Sequence, residues 1–67
     1  MNITIKFSLD NSAYQREEQT GDAYHDLDYF AIAETIRKVA DCVESEYYSH
    51  PIHNLNGNRV GEYAIED

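Results

Sequence analysis

Between residues 27 and 48 the apolar side chains recur with a helical period. Tyr29, Ile32, Ala33, Ile36, Val39, Ala40, Val43 and Tyr47 follow the i, i+3, i+4, i+7 spacing of one face. Glu34, Arg37, Lys38, Asp41, Glu44 and Ser45 fall on the opposite side. The pattern predicts a helix over 27–48. Asp26 or Asp28 would cap it, where a carboxylate also meets the positive end of the helix dipole. Pro51, just beyond, is a stop signal. One such stripe must be covered by something, and the rest of the chain offers only strands.

Ile3, Ile5, Phe7 and Leu9 alternate with Thr4, Lys6 and Ser8, the period of a strand with one buried face. Asp10-Asn11-Ser12 then turns the chain. Asn56-Gly57, between Ile52/Leu55 and Val60/Tyr63, marks a hairpin with strands near 51–55 and 59–66. Two registers are open. A two-residue loop puts Ile52, Gly61, Tyr63 and Ile65 on one face; a type I turn from Asn54 with Gly57 as a left-handed bulge pairs Ile52 with Val60. Either places Gly57 at positive φ. Gly61 is expected to face the helix and allow a close approach. The expected fold is a small α+β domain over 1–67 in β-α-β-β order. One amphipathic helix packs on a three-stranded, largely antiparallel sheet. Its core would set Ile32, Ile36, Val39 and Val43 against Ile3, Ile5 and Phe7.

Residues 10–28 form an acidic insertion, either a loop or a short helical turn around Ala13–Glu18. It holds six carboxylates against Arg16 alone, a segment net charge of −5. The whole chain has 13 acidic and 5 basic side chains in 67 residues, a net charge of −8. Such a surface repels nucleic acid and anionic membrane and attracts basic protein surfaces. A lone Cys42 excludes an internal disulfide. The opening stretch MNITIKFSLD has no signal-like apolar run, and no stretch approaches a membrane span. A cytoplasmic protein is expected.

No set of residues points to catalysis. His50 and His53 are separated by Pro51, whose extended geometry sends the two rings apart, and His25 stands elsewhere. Neither a metal nor a cofactor is expected. Asp26/Asp28 and Glu17/Glu18 lack a partner base, and no phosphate loop or nucleophile motif is present. Cys42 lies between Asp41 and Glu44, a setting that discourages the thiolate. The chain is therefore not expected to be an enzyme. Of its six tyrosines, Tyr29, Tyr47 and Tyr63 are assigned to the core. Tyr14, Tyr24 and Tyr48 are left as surface aromatics among carboxylates, suited to a partner rich in Arg and Lys.

ITIKFSLDNSAY, IAETIRKVADCVES and NLNGNRVGEYAIE together resemble a group of small acidic proteins encoded by bacteriophages and other mobile elements. That group joins a strand ending in Asp-Asn, an A-x-x-I-R-x-V-A-D helix and an N-G-N-x-V-G hairpin. The resemblance spans most of the chain, with residues 15–26 departing as a longer acidic insertion. Proteins of this build are similar to anti-CRISPR inhibitors. The resemblance implies a viral anti-defence protein in the host bacterial cytoplasm, acting on a Cas subunit or surveillance complex. Its acidic surface would mimic nucleic acid, with no direct nucleic-acid or membrane contact, as a monomer or weak homodimer. The residues expected at that contact are Asp10, Tyr14, Glu17, Glu18, Asp22, Tyr24, Asp26 and Asp28. The rival is a phage accessory or structural module that binds another protein.

Overall fold

The computed structural model describes residues 1–67. Strand β1 (Asn2–Phe7) is followed by a 3-10 turn (Ser12–Tyr14), helix α1 (Tyr29–Glu44), and strands β2 (Ser49–His53) and β3 (Arg59–Glu66). The strands form one antiparallel sheet in the order β1-β3-β2. The β-α-β-β order and the α+β class are as the sequence predicts. β3 is central, so the first and last strands of the chain are neighbours.

Cross-strand pairing sorts the side chains by face. Ile3 pairs with Ile65, Ile5 with Tyr63, and Phe7 with Gly61, while β2 sets His50 against Tyr63 and Ile52 against Gly61. All of these lie on the face that α1 approaches. Val39 of α1 meets Ile52 and Tyr63 there, and Phe7, Cys42, Val43 and Val60 pack around them.

The hairpin combines the two registers. Gly57 N–H donates to the Asn54 carbonyl at 3.0 Å, and Gly57 has φ +83°, which is a type I turn with a left-handed closing residue. The side chain of Asn54 accepts from the amides of Asn56 and Asn58 and holds the turn from inside. Yet Ile52 pairs with Gly61, because Val60 forms a bulge between Arg59 and Gly61. One extra residue restores the face that a simple ladder would have lost.

Gly61 needs its missing side chain for a different neighbour from the one expected. A Cβ there would fall on the Lys6 carbonyl oxygen and 2.5 Å from Phe7 Cα. The close approach is between β3 and β1, rather than between β3 and the helix.

α1 is shorter than the predicted 27–48. It starts after Asp28, whose carboxylate accepts from the Ala31 amide at 3.1 Å. It ends at Ser45, where Glu46 takes φ +68°. Glu46 N–H then reaches the Val43 carbonyl and Tyr47 N–H the Cys42 carbonyl, the paired bonds that close a helix when a left-handed residue follows it. A glutamate in that conformation carries steric strain that a glycine would not.

The inward line of α1 is Ala31, Thr35 and Val39, which corrects the expected core. Ile36 is 48 % exposed, Ile3 49 % and Ile5 44 %. The cause is placement: α1 lies over β2 and the 3-10 turn and leaves the β1 side of the sheet open. The tyrosines change places too. Tyr14, expected at the surface, is fully buried, and Tyr29 and Tyr47, expected in the core, are half exposed. Tyr63 is buried as expected.

Two substitutions should move stability in opposite directions. Glu46→Gly relieves the left-handed glutamate and should raise the melting temperature by a gain of about 1 kcal/mol. Gly61→Ala forces β3 off β1 and should lower it. Thermal melts of both variants beside the parent check the helix stop and the strand spacing together.

Candidate interaction surface

The acidic insertion folds back on itself. Arg16 N–H donates to the Asp26 carbonyl and Asp28 N–H to the Tyr14 carbonyl, each at 2.8 Å, and Gln15 bridges to Leu27. This short antiparallel clasp closes a loop of residues 17–25. Asn11 caps the 3-10 turn that precedes it, its side chain accepting from the Ala13 amide.

Tyr14 anchors the clasp to the body of the protein. Its ring lies 5.8 Å from that of Phe7. Its hydroxyl is 2.8 Å from Thr35 Oγ1, which itself donates to the Ala31 carbonyl. Thr35 has one proton to give, so the tyrosine is the donor in the first bond. Tyr14 thus joins the sheet, the insertion and α1, a role incompatible with the surface anchor expected of it.

Asp26 fills the inside of the loop. It is 4 % exposed. One carboxylate oxygen accepts from the Thr20 amide and the Thr20 hydroxyl, each at 2.7 Å, and the other from the Gly21 amide at 2.9 Å. The Thr20 hydroxyl contributes most to holding this carboxyl below the ordinary aspartate range. The Thr20 and Gly21 amides and nearby His25 act in the same direction, while burial opposes them. Asp26 is therefore a charged internal strut and no part of a contact surface. Asp28 is also withdrawn, as the helix cap.

Five of the eight expected contact residues remain outside. Asp10, Glu17, Glu18, Asp22 and Tyr24 are all exposed, Tyr24 at 80 %. Asp22 is partly committed, since one oxygen accepts from the Tyr24 and His25 amides. The Tyr24 carbonyl in turn accepts from the Tyr29 hydroxyl at 2.6 Å, tying the loop tip to the first turn of α1. Arg16 turns its side chain to the Leu27 carbonyl. The ion pairs of the chain, Arg37–Glu34 and Arg59–Glu62, lie elsewhere. The exposed carboxylates of the insertion thus make no ion pair.

A second feature is a cleft of about 180 Å³ between α1 and β2, bordered by Lys38, Cys42, His50 and His53. His50 Nδ1 is engaged with the Pro51 carbonyl at 2.7 Å. No three His, Cys, Asp or Glu side chains converge as a metal-holding group. Burial raises the Tyr63 phenol above its ordinary value; the neutral hydroxyl donates to the Tyr47 carbonyl. The cleft is small against the ~300–1,000 Å³ usual for ligand pockets, and its groups lack the convergent geometry of an active site.

The sequence reading missed Thr20 and Gly21 as partners of Asp26. Their signal was legible: a hydroxyl and two amides in a Thr-Gly turn shortly before an aspartate are the donors that such a carboxylate recruits. No helix is long and apolar enough to cross a membrane. No protein-family model matches the chain, and neither a curated protein nor a solved structure is similar to it at a significant level.

The Asp26 strut predicts an acid response. Its folded value lies below the ordinary 3.8, so its stabilisation is complete above pH 3.8 and fades as pH falls through the lower folded value. Asp26→Asn should melt below the parent at pH 7, and the gap should narrow on titration below 3.8. Melting curves of both proteins from pH 7 to pH 2 measure it; a gap that stays constant over that range contradicts the strut.

Proposed function

We propose that this chain is a phage-encoded anti-defence protein, an anti-CRISPR that binds a Cas subunit or surveillance complex in the host bacterial cytoplasm and blocks its nucleic-acid site. The observation that carries the reading is the insertion itself. It is a hydrogen-bonded loop that holds Asp10, Glu17, Glu18 and Asp22 in solvent without an ion pair. A loop ordered before binding loses less entropy when a partner docks. Lys and Arg that normally meet phosphates would find carboxylates already in place.

The mechanism involves no bond making. Net charge −8 steers the chain toward a basic groove and raises the association rate. Tyr24, exposed and held from behind by Tyr29, supplies the aromatic contact that slows dissociation. Tyr14, Asp26 and Asp28, expected at the contact, act here as its support. The resemblance of the strand, helix and hairpin motifs to small phage proteins supplies the setting.

A competition assay tests the proposal with a Cas surveillance complex, labelled target DNA and increasing amounts of this protein across a salt series. Displacement of DNA should weaken with added salt, because exposed charges are screened over about 8 Å at physiological ionic strength. Asp10→Lys, Glu17→Lys and Glu18→Lys together should abolish displacement without altering the melt, since none of the three carboxylates holds the loop. Tyr24→Ala should raise the off-rate more than it changes the on-rate. Binding without displacement at any salt would replace mimicry by a steric block. Failure to bind any defence complex would favour the accessory-module reading.

A further inference from the structure

The chain exposes 5101 Å². A compact monomer of 7.7 kDa exposes about 4,300 Å². The excess, about 800 Å², matches what one partner buries in a standard protein interface. The shape agrees. The radius of gyration is 13.2 Å, where a compact 67-residue domain has about 11 Å.

Part of the exposed apolar surface lies at β1. Ile3 and Ile5, on the face that packs the core farther along the sheet, are nearly half exposed. β1 is also a sheet edge. Ser8 N–H donates to the Val60 carbonyl, and antiparallel ladders alternate. It follows that Asn2, Thr4 and Lys6 bond inward to β3, and that Ile3, Ile5 and Phe7 turn their amides and carbonyls outward. Edge strands are ordinarily blunted by proline, a charged side chain, a bulge or an inward charge. Of these β1 has only Lys6, which pairs with Glu62 on the other face.

Charge restricts where two copies can meet. Two chains of net charge −8 repel, and they meet at least cost where neither brings carboxylates. Residues 1–9 contain no Asp or Glu. We infer that β1 pairs antiparallel with β1 of a second copy of this chain, about a two-fold axis at Ile5. Ile5 then lies beside its own counterpart and Ile3 beside Phe7 of the other copy, with the apolar faces of both sheets on one side. The two sheets become one of six strands. This pairing is independent of the anti-defence reading and holds or fails without it.

Sedimentation velocity across a concentration series tests it on the full chain, with circular dichroism to confirm folding. The parent should sediment at twice its 7.7 kDa chain mass, and the dimer should tighten with added salt as like-charge repulsion is screened. Ile5→Glu places two carboxylates side by side at the axis and should yield folded monomer. Ile5→Pro removes only an outward amide, leaving the β1–β3 ladder its bonds, and should do the same. Tyr48→Lys, beside β2 at the opposite edge of the sheet, should remain dimeric. A parent that stays monomeric at hundreds of micromolar overturns the inference. So does a parent dimer broken by Tyr48→Lys and preserved in a folded Ile5 variant.

Discussion

Tyr14 is the contact on which the arrangement depends. A chain of 67 residues can build one small core, and here one of its two largest fully buried side chains comes from the insertion, the other being Tyr63 of β3. The ring packs beside Phe7, the hydroxyl donates to Thr35, and the backbone carbonyl receives Asp28 at the start of α1. Truncating it would empty a site at the junction of three elements and remove the donor whose bond the buried Thr35 oxygen accepts, which compounds a cavity with a lost hydrogen bond. The insertion is therefore a structural member of the domain.

From that junction follows the division of the acidic segment. The carboxylates nearest the clasp work inward: Asp28 caps the helix, and Asp26 gathers three donors from Thr20 and Gly21. The exposed Asp10, Glu17 and Glu18 remain free for a partner. Internal hydrogen bonds substitute for the hydration a buried charge gives up, and they hold in one conformation a loop whose net charge of −5 would otherwise spread it. The proposed inhibition depends on that order, since a loose acidic tail would pay the ordering entropy only on binding.

Much of the fold was legible because its signals are local. Alternation in Ile3–Leu9, the helical stripe and Asn56-Gly57 each report on backbone periodicity or on tolerance of positive φ, and each element is present in the predicted order, with α1 shortened and β2 moved back to Ser49–His53. What was not legible depends on contacts across the chain. The Val60 bulge decides the hairpin register, and no local preference marks it. The displacement of α1 toward β2 decides which flank of its stripe is covered, so Thr35 took an inward place that hydropathy had given to Ile36. The site divided similarly: exposure of Glu17, Glu18 and Tyr24 followed from polarity and setting, whereas burial of Tyr14 and Asp26 required partners that only the folded clasp brings within reach.

The central claim is that the insertion is ordered around the Asp26 carboxylate before any partner arrives. Amide hydrogen exchange of the free protein measures this directly at Thr20 and Gly21, two exposed residues whose N–H groups have no other acceptor in the fold. The account predicts that both amides are protected at neutral pH while those of Glu17 and Glu18, which donate to nothing in the fold, exchange freely. Exchange of Thr20 and Gly21 at the rate of their unbonded neighbours would contradict it.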